Sequence, residues 1–93
     1  MFYVYVLFSL KDNKLYYGFT RNLELRLKEH NKGLNKSTKG RIPLKLIYYE
    51  CYLSETDARK REKFLKSGRG REIIKIQLEK TIAEVAKSVT ARV

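Results

Sequence analysis

Between Leu15 and Gly33 the chain reads LYYGFTRNLELRLKEHNKG, a stretch that brings phenols, a guanidinium and an imidazole close together. Such groups move protons and hold anions. On a helical wheel at roughly 100° per residue, Arg26, His30, Leu23 and Leu27 fall within about one third of the circumference. The two leucines must face the core, so Arg26 and His30, one turn apart, are held at its edge beside whatever the preceding strand presents. Glu24, Lys28 and Glu29 are expected to point to water. Taken singly, each residue has an ordinary explanation: a snorkelling arginine, a packed or capping histidine, core and rim tyrosines at Tyr16 and Tyr17. The chemistry rests on their being together.

The elements that must position them can be read from the pattern. Leu15 to Phe19 is aromatic and β-prone, Gly18 is a close-approach position, and Thr20 or Asn22 can cap a helix running from about Leu23 to Lys32 and stopping at Gly33. Phe2 to Phe8 is a near-continuous aromatic and β-branched run, which describes a central strand covered on both faces. Ser9 to Lys14, with Asp12 and Asn13, supplies the turn of a hairpin. With the loop at Ser9 to Asp12, Phe8 opposes Asn13 and Tyr5 lies directly across from Tyr16. A one-residue slip would carry the partner to the other face. Under this register two tyrosine hydroxyls meet beside the helix that carries Arg26 and His30.

Asn31 to Pro43 reads as a flexible basic loop, in which Lys36, Lys39 and Arg41 either follow a phosphate backbone or belong to an ordinary solvated connection. Leu44 to Leu53 is the third strand. Ser54 followed by Asp57 starts a helix over Glu55 to Lys66, with Ala58, Glu62 and Leu65 on one stripe. A carboxylate there is costly unless it finds a cation or a metal. Lys66 at i+4 and Arg59 at i−3 are the local partners. After Gly68-Arg69-Gly70-Arg71, the positions Ile74, Leu78, Ile82, Val85 and Val89 keep helical spacing, as one helix or as two with a break near Lys80 to Thr81.

A chain of 93 residues makes one domain with a small core. Residues 1–80 are expected to form its body and residues 81–93 a helical extension of it. Lys plus Arg number 21 against 10 for Asp plus Glu, a net charge of +11 distributed along the chain. That charge calls for a polyanion, and nucleic acid is favoured over a membrane because no apolar run reaches about 18 residues. One cysteine, Cys51, and one histidine exclude a disulfide framework and a cysteine-rich zinc site. A reducing, cytoplasmic setting fits, and the N-terminal stretch shows no export signal.

Tyr3-Val4-Tyr5, then Tyr16-Tyr17-Gly18, then Arg26, His30 and Glu62 together resemble the GIY-YIG nuclease superfamily, in particular its small stand-alone bacterial members. The resemblance covers about Phe2 to Ile76 and includes DNKLYYGFT, STKGRIPLKLIYYE and the run from Ala58-Arg59 through KFLKSG. Tyr3 and Val4 stand at the glycine and isoleucine of the first motif, and Tyr17 stands at the isoleucine of the second. The lysine that some repair-type members carry after the second motif is replaced by Phe19.

The resemblance implies an α+β fold, a small three-stranded antiparallel sheet flanked by helices, as the pattern reading also does. It implies hydrolysis of phosphodiester bonds with one Mg²⁺ or Mn²⁺ ion on Glu62. Arg26 would hold the phosphate oxygens, Tyr5 or Tyr16 would act on the attacking water, and His30 would assist. Lys36, Lys39, Arg41 and Lys66 are the expected nucleic-acid contacts, with DNA favoured over RNA and the chain a monomer or weak homodimer. The competing readings are a basic binding module without turnover and a nuclease that works only within a complex.

Overall fold

The run FYVYVLFS forms strand β1 (Phe2–Ser9), which is buried on both faces because it is the middle of the sheet. A computed structural model describes the backbone of residues 1–91 and the side chains of residues 1–88. Its order is β2 (Leu15–Thr20), β1, β3 (Leu44–Tyr52), all antiparallel, with helices α1 (Leu23–Asn31), α2 (Glu55–Lys66), α3 (Gly68–Gln77) and α4 (Glu79–Ala91). The expected α+β architecture is the observed one. Side-chain alternation divides β1 between two cores. Val4 and Val6 join Tyr17, Phe19, Ala58, Leu65, Ile74 and Leu78 on one face, and Tyr5 and Leu7 join Leu44 on the other, packed by Tyr16, Leu23 and Leu27.

The hairpin register differs from the expected one by two residues: Tyr5 pairs with Gly18, and Tyr16 pairs with Leu7. The turn is longer than the short loop expected. Ser9 N–H donates to the Lys14 carbonyl and Asn13 N–H to that of Ser9, while Asn13 takes a left-handed φ of 59°. Because strand side chains alternate with period two, the slip leaves both tyrosines on the same face, now diagonal. Their ring centroids are 6.4 Å apart.

Asn22 is the cap of α1, its side chain accepting from Leu25 N–H at 3.0 Å, and Thr20 braces it from behind. Glu29, expected in water, is half-buried and pairs with Arg26 at 3.2 Å. Helix α2 has the expected bounds, capped by Ser54. The Gly-Arg-Gly-Arg segment, read as a connection, is instead the first turn of α3, because Ser67 Oγ accepts from Gly70 N–H at 3.1 Å. The next break falls at Leu78, not near Lys80 to Thr81, and the buried Leu78 side chain joins the core. The side chain of Val89 lies outside the described residues.

The Asn31 to Pro43 segment is pinned rather than loose. Asn31 clasps both backbone groups of Leu44, at 2.9 and 2.7 Å. Ser9 Oγ donates to the Arg41 carbonyl at 2.6 Å, and the Arg41 guanidinium holds Asp12 at 2.9 Å and the Leu15 carbonyl at 3.2 Å.

Gly70 carries the packing of α3 against α2, since a Cβ there would run into the Phe64 carbonyl. Gly70→Ala is expected to cost about 1–3 kcal/mol, read as a lower urea midpoint at unchanged m value.

Candidate active site

Tyr5 is 1% exposed, and its ring lies across Gly18, where any Cβ would collide with the phenol. The glycine lets the hydroxyl pass over β2. At its end that hydroxyl meets His30 Nε2 at 2.8 Å, and His30 Nδ1 meets Thr38 Oγ1 at 2.7 Å. His30 and Thr38 are both 0% exposed, so phenol, imidazole and threonine form one buried line from β1 through α1 to the basic loop. Half-buried Tyr16 sets its ring edge-on to His30, with centroids 5.1 Å apart.

The electrostatics follow from the burial. Loss of water pushes the Tyr5 phenol well up, and Tyr16 adds to this; Arg26, close beside it, pulls down, and the Glu62 carboxylate pushes up. Tyr5 is therefore a neutral phenol at pH 7. His30 moves below its ordinary value, first through burial and then through Arg26, with Glu29 opposing. Its ring is neutral as well.

Arg26, Phe19 and Arg59 line a cleft of about 390 Å³ between α1 and α2. Arg59 stacks its guanidinium 3.7 Å from the Phe19 ring centroid and approaches Glu62 at 3.5 Å. Glu62 is 17% exposed and is also held by Lys66 at 2.9 Å. Both local cations expected from the sequence are thus engaged. Among the described residues there is no group of three or more metal-ligating side chains. One hard carboxylate, neutralised only by long and half-exposed cations, still fits a Mg²⁺ ion that keeps waters and takes a substrate oxygen.

Tyr5, Tyr16 and His30 are thus in direct contact, while Arg26 and Glu62 are held in their own ion pairs and bear on the Tyr5 phenol through their charges, in opposite directions. Lys36 and Lys39 are exposed and flank the buried Thr38 in the chain. Arg41 is committed to Asp12 and Leu15 instead, and Lys66 to Glu62. Two residues were not singled out from the sequence. Thr38, lying in a polar loop, has no periodicity to mark it; Arg59 was visible only as a neighbour of Glu62.

The sequence profile of the GIY-YIG catalytic domain matches residues 1–82. A UPF0213 protein of Clostridium perfringens is 41% identical over 85 residues, covering 90% of each chain. One of Bacillus licheniformis is 46% identical over 65 residues, 69% of this chain and 66% of that one. The solution NMR structure of a UPF0213 protein from Bacillus halodurans superposes with a TM-score of 0.50 at 35% identity, covering 80% of this chain and 82% of the other.

The line of buried groups makes stability depend on pH. Above the ordinary histidine value of 6.5 His30 is neutral in both states and its contribution is complete. As pH falls below 6.5 the unfolded chain binds a proton that the buried ring refuses, so stability drops until the lower folded value is passed. Urea unfolding between pH 7.5 and about 5.5 is expected to show this loss, and His30→Gln to flatten it. Thr38→Val, equal in shape but without the hydroxyl, is expected to cost about 1–3 kcal/mol in the same assay.

Proposed function

Because the chain belongs to the GIY-YIG family, whose catalytic domain implies nuclease chemistry, we propose that it is a metal-dependent endonuclease cutting phosphodiester bonds in DNA with low sequence specificity. The observation that supports this most is the Tyr5 phenol, hydrogen-bonded to a neutral histidine and acted on by an arginine and a carboxylate at once. A binding surface needs cations. It does not need a buried phenol-imidazole pair.

Arg26 presents a planar fork of donors to the non-bridging oxygens of the scissile phosphate, where charge builds up in the transition state. Tyr5 is too weak a base to take a proton from water unaided. His30 resolves this: as water gives its proton to Tyr5 Oη, the phenol's own proton passes to His30 Nε2, while Nδ1–H donates to Thr38 Oγ1 and fixes the ring. Tyr16, the less buried phenol, orients the water. Glu62 would hold one Mg²⁺ or Mn²⁺ ion, which supplies Lewis-acid polarisation of the phosphate and assists the leaving oxygen. Lys36 and Lys39 steer the backbone into place, aided by the net charge of +11.

The test is cleavage of labelled single-stranded, duplex and branched DNA, and of RNA, in Mg²⁺ or Mn²⁺, with binding recorded alongside. Cutting should be lost in both Glu62→Ala and Arg26→Ala while binding is largely kept. Tight binding by the parent chain with no cutting of any substrate would overturn the reading in favour of a binding module. The Lys36→Ala, Lys39→Ala double variant should reduce the slope of log K against log salt by about 2.

A further inference from the structure

On the sheet face opposite Tyr5 and Tyr16, a cavity of about 500 Å³ opens between the hairpin end of β2 and helices α3 and α4. Tyr17 lines it. That residue is only 6% exposed, and its hydroxyl is buried with no hydrogen-bond partner among the described residues. An apolar side chain would pack the same core without the cost of an unpaired hydroxyl, so the oxygen needs an explanation. Lys14, Arg71 and Lys75 line the cavity against one carboxylate, Glu79, and none of the three cations is ion-paired among the described residues. Leu15, Ile82 and the Tyr17 ring give it apolar walls.

We propose that this cavity binds a small molecule carrying an oxyanion on a flat apolar body, with the oxyanion held between the Tyr17 hydroxyl and the Arg71 guanidinium. The volume lies in the range of small-molecule sites, which pair apolar walls with a few placed polar groups. Arg71 is near enough to the phenol to counter the upward push of burial on it. A phosphate or a carboxylate offers the acceptor that Tyr17 lacks and the geometry that an arginine fork matches. The net positive lining excludes a cationic ligand. The site is separate from the nuclease site, and it stands whether or not the chain cuts DNA.

The probes are adenosine 5′-monophosphate and benzoate, two sources of the same chemistry, with adenosine as the neutral control. Each is titrated by NMR into the parent chain and into Arg26→Ala, which removes phosphate capture at the other face. Shifts centred on Tyr17, Arg71 and Ile82 with either anion, weaker with adenosine, support the proposal; which anion binds tighter identifies the source. Tyr17→Phe and Arg71→Gln should each weaken binding about tenfold or more. Tyr17→Phe should also raise the melting temperature by about 4 °C or more, since it removes an unpaired buried hydroxyl. The proposal is overturned if neither anion shifts these resonances at millimolar concentration, if both variants bind as the parent does, or if Tyr17→Phe lowers the melting temperature.

Discussion

The hydrogen bond between Tyr5 and His30 is the constraint around which the rest of the molecule is arranged. A phenol buried in the central strand must find a partner, and this one can reach its partner only by crossing β2 where there is no side chain. That fixes Gly18. The imidazole must then be presented from α1 at the right height, which the Asn22 cap and the leucine stripe of that helix accomplish. The far nitrogen needs its own partner, so the loop after α1 must return to place Thr38 in the core. Asn31, Ser9 and Arg41 tie that loop down. A segment whose composition is that of a solvated connection is ordered because one buried ring needs both its nitrogens satisfied.

Charge is handled differently on the two sides of this line. Tyr5 and His30 are kept neutral by burial, while Arg26 and Glu62 stay at the edge in ion pairs partly open to solvent. Arg26 rests against Glu29, and Glu62 lies between Arg59 and Lys66. Such pairs are weak and readily exchanged. Under the proposed nuclease reading, such a site would exchange these partners for a phosphate and a metal ion without disturbing the core that aligns it.

The parts of the fold that were legible in the sequence are those governed by local rules. The unbroken apolar run of β1 announced burial on both faces, and the caps at Asn22 and Ser54 marked where α1 and α2 begin. The alignment of Arg26 with His30 followed from helical spacing alone. The hairpin register was missed because turn geometry, not strand pattern, sets it, and the face survived only because the slip was even. The start of α3 was hidden by two glycines that ordinarily break helices, although here Gly70 is required by the Phe64 carbonyl beside it. Thr38 could not be seen because its role is defined by a partner eight residues away in a loop without period.

The most direct test of the account is the pH dependence of single-turnover DNA cleavage by the parent chain and by His30→Gln. If Tyr5 passes its proton to His30, the parent's rate should fall as pH drops below the ordinary histidine range, because a protonated ring cannot accept. The variant should lose that limb together with about 10²-fold or more of the rate, while still binding DNA. An unchanged rate and profile in His30→Gln would contradict the proton path and leave the buried pair a structural device only.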